Sequence, residues 1–183
     1  SWCTGLKTLP QGFSTAQDLR LPGCSGLAVL PDGLTVGGDL VLSECSSLTR
    51  LPNDIAIGGS LDLSSCSRLE SLPDRLHVTK RLCLSGCTQL RTPPASLRIT
   101  GNSDLDLSNC TELVSLPNGL SVPRHLHLSG CTKLTALPYD LKVGGDMFLE
   151  GCESLESLPS SLLSWPEVRS EIRTITLTEG SND

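Results

Sequence analysis

Leu40-Val41-Leu42-Ser43-Glu44-Cys45-Ser46-Ser47-Leu48-Thr49-Arg50-Leu51-Pro52-Asn53-Asp54-Ile55-Ala56-Ile57 is one unit of a phrase that fills most of this chain. It returns as Leu61-x-Leu63-x-x-Cys66-x-x-Leu69-x-x-Leu72-Pro73-x-x-Leu76-x-Val78, and again as Leu126-x-Leu128-x-x-Cys131-x-x-Leu134-x-x-Leu137-Pro138-x-x-Leu141-x-Val143. Its cysteines stand at positions 3, 24, 45, 66, 87, 110, 131 and 152. Six of the seven intervals are 21 residues; the seventh is 23, and Gly101-Asn102 accounts for the enlargement. A period this short cannot bury its own apolar side, but stacked copies bury one continuous column of leucines between neighbours.

The spacing inside the unit sets the local structure. Leu-x-Leu has period two and predicts a short strand with both leucines inward. Leu/Ile-x-Val/Ile has the same period and predicts a shorter strand on the return leg. The Leu-Pro step between them fixes φ and removes a donor, which disfavours helix. Gly-Gly at 37–38, 58–59 and 144–145 supplies corners where a side chain would clash. Each coil then adds one strand to a parallel sheet, with a rise of about 4.8 Å.

Composition narrows the functional classes. The 183 residues carry 3% aromatics, 19% charged residues and a net charge of −6, so neither nucleic acid nor an anionic membrane is expected as partner. No apolar run approaches the ~20 residues needed to span a bilayer. The chain opens with neither Met nor a leader, and reads as a piece of something longer.

The phrase Leu-x-Leu-x-x-Cys-x-x-Leu-x-x-Leu-Pro-x-x-Leu resembles the leucine-rich repeat over residues 3 to about 162. The resemblance implies a right-handed curved solenoid of about eight 21-residue coils, with the parallel sheet on its concave face and little helix. The short unit with Leu-Pro and Val-Gly-Gly is similar to repeats of bacterial type III secreted effectors of the YopM, IpaH and SspH kind. Such effectors often carry a ubiquitin-ligase domain after the repeats. Leu-Ser-Gly-Cys-Thr-x-Leu at 84–90 and 128–134 also resembles plant intracellular immune receptors. Cys-x-x-Leu here, where Asn-x-Leu is commoner in effectors, adds one residue after the strand.

Nine cysteines cannot all pair within one chain, and their spacing matches no zinc motif or secreted disulfide framework. Eight are expected as small buried side chains behind the strand, each S–H facing a backbone carbonyl. Reduced thiols imply a reducing, intracellular compartment, the host cytoplasm if the parent is an effector. Cys83, the middle residue of Leu82-Cys83-Leu84, is expected to point away from the core and to be the thiol that a reagent reaches.

With the leucines inward, two columns face the open side of the sheet. The middle column reads Arg20, Val41, Asp62, Cys83, Asp106, His127, Phe148; the one before it reads Asp18, Asp39, Ser60, Arg81, Asp104, His125, Asp146. The leucines hardly change while these positions do, as in a scaffold that presents a readable surface. Asp39, Asp62, Arg81, Cys83, Asp104, Asp106, Arg124, His125, His127, Asp146 and Phe148 are the candidate partner-binding residues. Phe148, beside Asp146 and Glu150, reads either as an exposed anchor for a protein partner or as a cover for the end of the stack. His125 and His127 beside Asp104 and Asp106 have the chemistry of metal ligands. Ordinary His–Asp pairing explains them equally well, and no metal or other cofactor is assigned. Lys80, Arg81 and Arg124 read either as a mixed solvated face or as a strip that sets a partner's orientation.

No nucleophile–base–orienter set appears: Ser64, Ser85, Ser108 and Ser129 recur once per coil, as turn residues do, and three histidines leave little for acid–base chemistry. The expected function is a monomeric protein-recognition module, not itself an enzyme, that binds a host target or a ligase substrate. The alternative is a ligand-sensing or autoinhibitory fragment of an immune-type receptor. Beyond the coils of residues 1–162, Ser164-Trp165-Pro166-Glu167 resembles a capping box, predicting a short helix over 165–173 in a cap of 163–179. Residues 180–183 are expected to be a disordered tail. Trp2 is expected to cover the first coil.

Overall fold

The computed structural model describes residues 3–159. The expectations for Trp2, the cap over 163–179 and the tail lie outside those residues. Within them the chain is a parallel β-solenoid with a repeat of about 21 residues and no helix. Every strand is two residues long, and its sequence position follows from the period-two pairs.

Seven strands form the long sheet: Leu19–Arg20, Leu40–Val41, Leu61–Asp62, Leu82–Cys83, Leu105–Asp106, Leu126–His127 and Met147–Phe148. All pair in parallel with neighbours one coil away, leucine against leucine in register except at the last pair, where Met147 stands against Leu126. Leu105 stays in register with Leu82 across the two extra residues, which are absorbed in the corner before it. There Gly101 takes φ +73° and the buried Ser103 donates its hydroxyl to the carbonyls of Thr100 and Thr79.

The return legs also form short strands, as the second apolar pair predicts. Ser14–Thr15, Thr35–Val36 and Ala56–Ile57 make one three-stranded sheet, and two further pairs follow: His77–Val78 with Arg98–Ile99, and Ser121–Val122 with Lys142–Val143. The first break falls where Thr79-Lys80 replaces Gly-Gly, and the Thr79 hydroxyl donates to the Gly58 carbonyl at 3.0 Å. The second break falls at the Gly101-Asn102 enlargement.

Between the two legs lies one apolar column in which Leu40, Leu42, Leu48 and their equivalents in the four coils that follow are fully shielded from water, while Leu19 and Leu21 at the start of the stack are only partly buried. Each fully buried Leu contributes roughly 1.5–3 kcal/mol relative to exposure. The cysteines join the same column. Cys66 donates its S–H to the Leu42 carbonyl at 3.1 Å, and Cys45, Cys87, Cys110, Cys131 and Cys152 repeat the bond at 3.2–3.3 Å. The same Leu42 carbonyl accepts the Cys45 N–H of its own coil at 3.2 Å, so the thiol links two coils at an acceptor already in use. Burial pushes these thiols up from an ordinary 9.0, Cys45 to about 11, Cys66 and Cys110 to about 12, and Cys87 and Cys131 further.

The residue before each of the seven column cysteines from Cys24 to Cys152 turns the chain in the left-handed region. It is Gly23, Gly86, Gly130 or Gly151 in four coils, and Glu44, Ser65 or Asn109 in the others, at φ values of 58–76°. This explains why Ser-Gly-Cys recurs in the sequence.

Candidate functional site

Alternation along the two-residue strands places the two outward columns on one side of the long sheet, fourteen side chains on seven strands. Within them, six carboxylates oppose two guanidiniums, a net of −4 out of −6 for the whole chain.

The column before the strand has a structural duty as well. Strands of two residues leave backbone donors at their edges without a ladder partner, and side chains one coil back supply acceptors. Asp18 Oδ1 accepts the Asp39 N–H at 2.8 Å, and Asp39 Oδ1 accepts the Ser60 N–H at 2.8 Å. Asp104 Oδ1 accepts the His125 N–H at 3.1 Å, and His125 Nδ1 lies 3.0 Å from the Asp146 N–H. The Asp39 N–H, followed by Arg20, holds the Asp18 carboxyl below its ordinary range. A sequence signal exists for this role one coil on: a Cβ at Gly38, Gly59 or Gly145, the second glycine of each Gly-Gly corner, would meet the acceptor atom of Asp18, Asp39 or His125.

The middle column is half-buried for most of its length, and its carboxylates bond within their own coil. Asp62 Oδ1 accepts the Ser64 N–H at 2.9 Å and Asp106 Oδ1 the Ser108 N–H at 3.1 Å. Arg81 reaches Asp106 Oδ2 at 3.1 Å. Burial pushes the Asp106 carboxyl up, but the Ser108 N–H and hydroxyl, His127 and Arg81 outweigh it and leave it below the ordinary 3.8.

Cys83 departs from expectation. It belongs to the outward column, yet it is only 9% exposed, because Asp62, Asp106 and Arg81 crowd over it. Burial, with the flanking carboxylates, raises its pKa, and its Sγ lies 3.8 Å from Asp106 Oδ2. Cys3 is the exposed thiol among the described residues. A thiol shielded and flanked by anions is a poor nucleophile.

The last two coils of the long sheet gather three rings. His127 and Phe148 stack with centroids 4.6 Å apart and planes 7° from parallel, and His125 tilts toward both at 6.4 Å. Phe148 is therefore neither solitary nor fully exposed. The carboxylate nearest the His125 ring is that of Asp146 on the next strand, at 3.1 Å, while Asp104 binds the His125 backbone. With its proton on Nδ1, the ring donates to Asp146 and accepts from Arg124, 3.2 Å from Nε2; with the proton on Nε2, Nδ1 accepts the Asp146 N–H. His127 lies opposite Asp106 in register, as expected. No group of three or more His, Cys, Asp or Glu comes together to hold a metal among the described residues. Arg124 approaches Asp104 at 3.8 Å, so Arg81 and Arg124 are drawn toward the face carboxylates.

The sequence reading passed over Tyr139, Val29 and Val114, which are 76%, 49% and 43% exposed and lie off this face. No helix among the described residues is long and apolar enough to cross a membrane. No family model, curated protein or solved structure matches this chain.

Proposed function

We propose that this chain is a protein-recognition module whose partner docks on the seven-stranded face. The observation that carries this reading is the face itself. Seven in-register strands, held by shielded leucines and thiol–carbonyl bonds, present outward residues of unlike chemistry, ending in a half-exposed pair of rings. Rings on a rigid support lose little entropy on binding, and they are common anchors at protein interfaces. The resemblance to effector repeats extends the proposal: the parent is delivered into a host cell, and these coils choose the host target or the substrate of a ligase domain elsewhere in it. On this reading the segment selects and does not catalyse.

The test is site-specific photo-crosslinking in a eukaryotic cell extract, with the photoreactive residue at Val41 on the face or at Val114 off it. The proposal expects products at Val41 that are absent at Val114 and lost in the His127→Ala/Phe148→Ala double variant, with thermal unfolding unchanged. The same products at both positions, or products indifferent to the double variant, would refute it.

A further inference from the structure

Resting on that docking face, the charge of its side chains specifies the partner's chemistry. The two columns hold most of the chain's net negative charge, and the columns beside them do not cancel it: Lys80 and Arg124 stand along one margin, Glu44 and Glu150 along the other. Both face guanidiniums are engaged, Arg20 with Asp18 at 2.9 Å and Arg81 with Asp106 at 3.1 Å. Asp62 has no cationic partner among the described residues, and Asp146 has only His125. The face thus offers two places for a foreign cation. One is Asp62, on the third strand. The other is the seventh strand, where the wall formed by His127 and Phe148 can take the aliphatic stem of a Lys or Arg whose head reaches Asp146 or Glu150. The apolar wall beside the carboxylates makes the second place more than a group of acids, because it rewards a long cationic side chain over a simple ion.

The two places are four strands apart, about 19 Å at the spacing of a parallel sheet, and an extended peptide covers that in about six residues. We propose that the face takes an extended, basic segment of a partner protein, with one cationic side chain at Asp62 and a second, about six residues away, along the His127–Phe148 wall.

The experiment is an amide NMR titration at low salt with defined probes. The first is an eight-residue peptide with two arginines at each end of a Ser-Gly spacer; the second has the same composition with all four arginines adjacent; the third carries glutamate for arginine. The first peptide should shift resonances around Asp62 and around 125–150, about threefold more tightly than the second, and the third should shift neither. Asp62→Asn and Asp146→Asn should each weaken the first peptide about threefold, and Phe148→Ala by a similar factor. Glu70→Gln and Glu156→Gln, exposed acids off this face, should leave it unchanged. Equal loss in the off-face variants, or shifts spread over the whole molecule, would overturn the inference by showing diffuse attraction. If crosslinking finds a partner on this face while the arginine peptides leave Asp62 and Phe148 unmoved, the basic-segment inference fails and the docking-face reading stands.

Discussion

Raising the pH from 7 to 10 should destabilise this protein through its cysteines. Cys45, Cys66, Cys87, Cys110 and Cys131 are fully shielded from water and hold their protons far above the ordinary thiol value of 9.0. A group whose folded pKa exceeds its unfolded one contributes stability that is whole below the unfolded value and is lost as pH climbs toward the folded value. For Cys66 and Cys110 that window runs from 9.0 to about 12, and for Cys45 from 9.0 to about 11. At pH 10 the unfolded chain gains on the order of 1 kcal/mol per thiol that the folded chain cannot match, and several kcal/mol over five. A domain's whole stability is about 5–15 kcal/mol. Urea unfolding followed by far-UV circular dichroism, in reductant and at half-unit steps from pH 7, should therefore show a midpoint level to about pH 8.5 and then falling steeply. The Cys66→Ala/Cys110→Ala variant should start lower and fall with a shallower slope, since two of the most deeply buried thiols are gone. A midpoint unchanged between pH 8 and 10, or one falling equally in wild type and variant, would refute the sequestration of these thiols.

Thiol titration at pH 8 should find one fast site, Cys3, with Cys83 and the column reacting only on the timescale of unfolding; a second fast thiol would contradict the crowding over Cys83. Glycine changes should act in opposite directions at two positions. Gly58→Ala drives a Cβ into the Gly37 carbonyl, backbone against backbone, and should cost about 1–3 kcal/mol in urea unfolding. Glu44→Gly relieves a left-handed residue at φ 61° and should gain roughly 0.5 kcal/mol after the entropy of glycine is charged against it. A neutral Gly58→Ala would mean that the corner is looser than its geometry.

The solenoid was legible because its main cause is periodic. A two-residue alternation fixes which way Leu40 and Leu42 point, and the 21-residue period fixes what they meet, so strand, register and buried thiol all follow from local spacing. The surface is legible only in direction. Alternation correctly turns Cys83 to the outward side, but its exposure depends on Arg81, Asp62 and Asp106, two of which lie 21 and 23 residues away in sequence. Likewise, the carboxylates of Asp39 and Asp104 read as free surface charge, because no local rule says that a strand two residues long will need acceptors from the coil before it. The His127–Phe148 stack follows from in-register pairing once strand spacing is known, yet its two members are 21 residues apart and neither announces the other.

That difference divides the face by function. Asp18, Asp39, Asp104 and His125 each commit one acceptor atom to a backbone N–H of the next coil, so replacing one by an apolar residue removes a link between coils before it alters recognition. Among the described residues Val41, His127 and Phe148 hold no backbone donor of a neighbouring coil; Asp62 bonds to the turn two residues on, and Asp106 does the same while its second oxygen takes Arg81. The middle column can therefore change its chemistry at little cost to the stack, and on the proposed reading discrimination between partners belongs there. The outer column's share is its second carboxylate oxygen, which adds charge at a position already fixed by the first. A solenoid built this way separates the groups that hold adjacent coils together from the groups free to vary, which the proposed function assigns to recognition, although the two stand two residues apart along the chain.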